Sequence, residues 1–265
     1  MFSRVILFVE ESFFEAMVSV CSSTYKSMAA GGSYRNTQKQ EQESNTNNAI
    51  ISNIRDLRSG VPRTWDLNKV LSGDIFPCVE PNSVEFRTVW ENYVRGMPED
   101  PIAYIRKPII IRVQNRQLWL QYVAQRRKVR RDCQAILGGD GGEIEKTLYH
   151  GCFEDVVSKI CSTRFNRSFA GVQNGAAYGL GTYFTNSSHM ASGYGKVSKR
   201  AGDRVCVIQA KVLTGLMFGG LHPPTVRALK SMNKHSTVNI PAKPSVFVTF
   251  HDASAYPEYV IDYIK

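Results

Sequence analysis

The stretch from residue 147 to 194 most constrains what this chain can become. It reads T-L-Y-H-G-C at 147–152, F-N-R-S-F-A-G at 165–171 and A-Y-G-L-G-T-Y-F at 177–184, and it closes on Tyr194. The apolar run that ends in His150-Gly151 has the length of a strand. Thr182-Tyr183-Phe184, preceded by Gly179 and Gly181, reads as a second one. A histidine alone is usually a satisfied structural residue. Here it ends a strand, is followed at once by glycine, and faces a second strand that ends in aromatics. Such a place offers a hydrogen-bonding ring, a bare backbone and aromatic planes, which together suit a flat, polar heterocycle.

The 265 residues are enough for one large domain or one domain with an appendage. The longest N-terminal apolar run, V-I-L-F-V at 5–9, is too short for a signal sequence and is closed by Glu10 and Glu11. Nothing reaches the roughly 18 apolar residues of a membrane span. The expectation is therefore an intracellular protein, nuclear, cytoplasmic or both, with no membrane partner. Cysteines stand at 21, 78, 133, 152, 161 and 206 without a C-x-x-C pair or a histidine at ligand spacing. That pattern implies reduced thiols and no metal site. The net charge of +10 draws much of its excess from R-R-K-V-R-R at 126–131. A run of this kind is either a solvated helix face or a contact for nucleic acid.

Taken in order, R-V-I-L-F-V at 4–9 reads as a strand, and 10–28 as a helix with Phe13, Phe14, Met17, Val18 and Cys21 on one side. The polar segment that follows, rich in Asn, Gln, Ser and Thr, has almost nothing to bury. The chain thus divides into a strand–helix unit over 1–30, a flexible linker over 31–59 and a main unit over 60–265. In the main unit, 76–79 reads as a strand and Ser83 opens a helix through Val94. Residues 109–113 read as a strand, and 115–137 as the longest helix, stopped by G-G-D-G-G. A strand at 147–150 and a helix at 154–161 precede the glycine-rich loop. A short helix near 187–192 and a long strand at 204–213 come after it. Residues 214–243, with Pro223, Pro224 and Pro241 inside and Pro244 just beyond, are expected as a long functional loop. The runs at 246–250 and 259–264 are expected to pair with each other. The fold class is α+β, helices gathered first and strands later.

The motifs L-Y-H-G, F-N-R-S-F-A-G, A-Y-G-L-G-T-Y-F, K-V-L-T-G, P-S-V-F-V-T-F-H-D and A-Y-P-E-Y-V-I occur in this order across residues 60–265. This resembles the catalytic domain of the poly(ADP-ribose) polymerase family, and within it the macro-domain-containing, mono-ADP-ribosylating subgroup. Residues 1–30 are similar to the last strand and helix of a macro domain. The resemblance implies an ADP-ribosyltransferase fold: a split antiparallel sheet around an NAD+ cleft, with NAD+ as co-substrate and no metal. It implies that His150 orients the nicotinamide ribose and that Gly151 holds the carboxamide through its backbone. It places Tyr183 and Tyr194 on the two faces of the nicotinamide, and Val246 where polymerising members carry glutamate. The sequence also offers Glu258, in P-E-Y-V-I, for that role, but the motif P-S-V-F-V assigns it to Val246. Valine cannot accept hydrogen bonds from ribose hydroxyls or activate an incoming ribose, so single transfer is implied.

Two positions depart from the family pattern. Ala191 stands where a serine usually meets the carboxamide, with Ser192 one residue later. Cys152 stands where Ser or Thr often follows His-Gly near the adenine ribose. Arg167 is a candidate contact for the phosphates. Three functions follow. The first is transfer of one ADP-ribose to acceptor proteins, the chain itself among the candidates. The second is an inactive module that binds NAD+ or ADP-ribose. The third is a nucleic-acid-binding module built on the basic helix at 126–131.

Overall fold

The computed structural model describes residues 60–98, 105–169, 176–195, 204–220 and 225–265. The strand–helix unit and linker expected over 1–59 lie outside them. Along the chain come α1 (Leu67–Leu71), α2 (Val84–Val94), β1 (Arg106–Arg112), α3 (Arg116–Leu137), β2 (Glu145–Gly151), α4 (Glu154–Thr163) and β3 (Thr182–Thr185). They are followed by α5 (Ser188–Tyr194), β4 (Arg204–Leu213), β5 (Met217–Gly219), α6 (Val226–Ser231), β6 (Ser236–Val238), β7 (Val246–Thr249) and β8 (Ala255–Ile264). The strands form one sheet in the order β1-β8-β4-β2-β3-β7-β6-β5, antiparallel except for β5 with β6.

Local sequence sets the helix ends. Ser83 caps α2 by accepting from the Phe86 amide at 3.0 Å, and Asn115 caps α3 by accepting from the Leu118 amide at 3.2 Å. Gly138, with φ +73, ends α3 in a conformation that disfavours a side chain. Strand alternation then sorts the core. On β4, Cys206, Ile208, Ala210 and Val212 pack with Val157 and Ile160 of α4. The intervening Val205 and Val207 pack with Phe86, Val89 and Tyr93 of α2. The inner face of α3 carries Leu118, Tyr122, Val129 and Cys133 against Trp65 and Tyr256. Each such aliphatic side chain contributes about 1.5–3 kcal/mol by leaving water.

The outer face of α3 is less free than its charge suggests. Arg126 meets Glu145 at 2.9 Å, Lys128 meets Asp132 at 2.5 Å, and Arg130 donates to the carbonyls of Asp140 and Gly142. Arg127 and Arg131 are exposed. None of the described helices is long and apolar enough to cross a membrane.

Several expectations are corrected. The runs at 246–250 and 259–264 do not pair with each other. β7 lies between β3 and β6, and β8 between β1 and β4, so both edges of each are taken by other strands. Residues 214–243 are not one loop: β5, α6 and β6 fold within them and extend the sheet past β7. At 76–79 only Cys78 bridges to Ile111. Among the described residues, Cys133, Cys152, Cys161 and Cys206 are free thiols.

Candidate active site

The site is built where the sheet splits. β2 and β4 pair residue by residue over the whole length of β2, but β2 and β3 share only the pair Tyr149 with Thr185. Beyond that pair the strands part, and the Tyr183 carbonyl is met by a side chain: His150 Nδ1 lies 2.8 Å from it. A carbonyl only accepts, so Nδ1 carries the proton, and in the neutral ring Nε2 is an acceptor. Phe165 packs edge-on against the imidazole at 5.4 Å, and Phe184 is tilted against it at 5.7 Å. Burial lowers the imidazole pKa below its ordinary value, outweighing the carbonyl contact that raises it. The ring is therefore neutral at pH 7, with its orientation and tautomer both fixed.

Gly151 continues β2 beneath α5. A Cβ there would lie 1.9 Å from the Ala191 carbonyl oxygen and 2.7 Å from the Gly195 amide. Helix packing thus dictates glycine at 151. Ser187 caps α5 by accepting from the Met190 amide at 3.2 Å. Ala191 is buried with Tyr93 and Tyr149. Ser192 is also buried, and its hydroxyl donates to the His189 carbonyl at 2.8 Å within the same helix. Tyr194, the last residue of α5, is 54% exposed and leaves its ring available. Cys152 is half-buried, and burial pushes its thiol pKa well up, so it is a neutral thiol and a poor nucleophile.

Tyr183 is held by its hydroxyl, which accepts from the Tyr178 amide and donates to the Gly179 carbonyl, each at 3.0 Å. With those bonds made, what the residue chiefly offers a ligand is the face of its ring. Tyr183 pairs with Val248 and Thr185 with Val246, so all four side chains stand on one face of β3 and β7. The Val246 amide donates to Asn239 Oδ1 at 3.1 Å, which fixes the start of β7. His150, Tyr183 and Val246 therefore occupy three neighbouring strands at the split. Glu258 does not join them: its strand, β8, is separated from β7 by β4, β2 and β3, and its carboxylate meets Lys211 at 3.2 Å. Arg167 is tied to the β7–β8 link, donating to the Phe250 carbonyl at 2.8 Å with Asp252 3.8 Å away. The sequence reading assigned no role to Phe165 or Tyr178, which support the two signature rings. Their positions inside F-N-R and A-Y-G-L-G were the available signal.

A split antiparallel sheet with a fixed neutral histidine on one lip, and a tyrosine ring on the other, defines the catalytic-domain class of ADP-ribosyltransferases. Residues 83–238 match the Poly(ADP-ribose) polymerase catalytic domain (PARP), and the chain belongs to that family. It is similar to human protein mono-ADP-ribosyltransferase PARP14, at 31% identity over 81% of this chain and 12% of the relative. Human protein mono-ADP-ribosyltransferase PARP12 is 31% identical over 77% of this chain and 28% of the relative. Mouse protein mono-ADP-ribosyltransferase PARP10 is 33% identical over 69% of this chain and 19% of the relative. The chain thus spans well under a third of the length of these relatives.

Proposed function

We propose that this chain transfers a single ADP-ribose from NAD+ to acceptor side chains on proteins, itself included, and releases nicotinamide. The observation that carries the reading is the fixed His150 tautomer beside an apolar third position at Val246. A neutral ring with Nε2 as acceptor takes a hydrogen bond from a ribose hydroxyl and orients the sugar for reaction at C1. Gly151 presents backbone amide and carbonyl to the carboxamide. The rings of Tyr183 and Tyr194 flank the nicotinamide. Its glycosidic bond breaks with an electron pair leaving to the cationic ring, through an oxocarbenium-like state, and an acceptor carboxylate attacks C1. Val246 supplies no carboxylate to deprotonate a ribose hydroxyl, so the product is not extended. Cys152 acts here as a neutral wall residue, and Arg167 orders the loop that borders the phosphates.

A second reading has its own support. Ala191 brings no hydroxyl, and the Ser192 proton is committed to the His189 carbonyl, so the carboxamide loses one donor. That favours a module that binds NAD+ without transferring. One experiment separates the two: incubation with labelled NAD+, comparing the wild type with His150→Ala. Discrete additions of one ADP-ribose that vanish in the variant support transfer. NAD+ binding by calorimetry with no label supports the inactive module. Polymer ladders overturn the role given to Val246.

A further inference from the structure

We propose that Thr237 is a positioning residue for this site, holding the wall formed by Tyr183 from two strands away. The inference rests on the NAD+ reading above. Thr237, Val248 and Tyr183 lie directly opposite one another across β6, β7 and β3, so their side chains rise in one row on one face. The backbone of Tyr178 spans that row over Val248. Its amide donates to the Tyr183 hydroxyl at 3.0 Å, and its carbonyl accepts from Thr237 Oγ1 at 2.5 Å. The Tyr183 hydroxyl closes the arrangement by donating to the Gly179 carbonyl. The backbone of one residue, Tyr178, is thus held at both its N–H and its C=O by the two ends of the row.

The surroundings leave the clamp little freedom. Gly179, at φ +110, makes the turn that a side chain would oppose. A Cβ on Gly181 would lie 2.4 Å from the Thr249 carbonyl, so the turn is pressed onto β7. The Tyr178 side chain packs on Leu229, Val248 and Phe250, the same small cluster that Tyr183 and Val246 border. Thr237 is fully buried, and its hydroxyl directly partners the carbonyl of the turn. Without it the carbonyl must find another donor, and the turn shifts on the face where the Tyr183 ring stands. The strand at the far side of β7 thereby sets where the ring presents itself to nicotinamide.

The test uses the full chain with Thr237→Val, Thr237→Ser and, as a control on the same strand, Ser236→Ala. Ser236 spends its hydroxyl on the Thr214 carbonyl, away from the turn. Valine keeps the shape of threonine and removes only the donor; serine keeps the donor. Calorimetric NAD+ affinity, KM for NAD+ and kcat are read beside the unfolding midpoint. Thr237→Val is expected to weaken NAD+ binding and raise KM about fivefold, roughly the worth of one buried hydrogen bond. Thr237→Ser should restore wild-type affinity, and Ser236→Ala should lower the midpoint without changing affinity. Equal affinity in Thr237→Val and wild type overturns the proposal. So does equal weakening in Thr237→Ser, or a loss of affinity in Ser236→Ala that matches its loss of stability. Failure of the wild type to bind NAD+ would overturn the underlying reading instead, and the proposal with it.

Discussion

Gly151→Ala and Gly193→Ala place one methyl group under α5 and one on its exposed side, and they should act in opposite directions. At 151 the new carbon would stand 1.9 Å from the Ala191 carbonyl oxygen and 2.9 Å from its carbon, both backbone atoms of α5. Real Cβ atoms keep at least 3.0 Å, so α5 must retreat by roughly 1 Å. Backbone cannot rotate aside as a side chain would, so the cost falls at the upper end of overpacking, about 3 kcal/mol. For a domain of this size that lowers the unfolding midpoint by about 6–12 °C. At 193 an added Cβ meets nothing within 4 Å, and the residue lies inside α5. Alanine there should stabilise by about 0.5–1 kcal/mol through lower unfolded-state entropy, raising the midpoint by a few degrees. Scanning calorimetry of the two variants beside the wild type reads both signs at once. A Gly151→Ala midpoint within about 1 °C of wild type, or the same loss in both variants, would refute the claim that helix packing dictates Gly151. NAD+ affinity should fall in Gly151→Ala, because the retreat of α5 carries Tyr194 with it.

Glu258→Gln should leave transfer within about twofold of wild type while costing about 1–3 kcal/mol of stability, since Lys211 loses the nearer of its two carboxylates and keeps Glu145 at 4.0 Å; abolished transfer in a folded variant would make Glu258 catalytic. Val246→Glu puts a carboxylate against Tyr183, Val248 and Phe250, so it should destabilise by about 1–3 kcal/mol. Its products, resolved by mass, should carry more than one ADP-ribose; single additions alone, with NAD+ still bound, would show that elongation is set elsewhere. Burial lowers the folded-state pKa of His150, His235 and His251, so the unfolded chain takes up these protons first as the pH falls. Urea stability should therefore be level above about pH 7 and decline below about 6.5, while the Glu258 carboxyl, whose pKa burial raises, works the other way. His150→Gln should flatten part of that decline, and an unchanged slope would contradict the buried neutral ring. NAD+ affinity should fall with a midpoint below 6.5, as Nε2 gains its proton.

What was legible in the sequence is what local chemistry encodes. β4 announces itself by V-C-V-I at 205–208, apolar at successive positions because the strand is buried on both faces. α3 shows its apolar spacing, its Asn115 cap and its glycine stop. The partners of β7 and β8 were not legible. Closeness in sequence suggests a hairpin, but pairing depends on which edges distant strands leave open. β5 and β6 are three residues each, too short for any periodicity, and neighbouring prolines disguise them. At the site, His150-Gly151 and Tyr183 stood out by residue type. The reason for glycine at 151 did not, because it lies in a carbonyl forty residues away. Nor could the sequence show that the Ser192 hydroxyl is spent inside its own helix.

One local irregularity in β8 fixes where Glu258 stands relative to the split. Gln209 of β4 lies opposite Tyr259, and the next residue, Ala210, lies opposite Pro257, which leaves Glu258 as the extra residue of a bulge. Pro257 has no amide to give the ladder, so a buried strand can hold it only where pairing is already interrupted. The bulge sends the Glu258 carbonyl to the Val113 amide at 3.0 Å and its carboxylate to Lys211. Both interactions knit β8 to the β1 and β4 side of the sheet, and with them the glutamate is fixed away from the split. Past the bulge, Tyr259, Ile261 and Tyr263 return to strict alternation under α2. β7 carries no such interruption: Val246 to Thr249 pair with Thr185 to Thr182 without a shift. The strand that runs regularly beside β3 is β7, and the residue it carries opposite Thr185 is the apolar Val246.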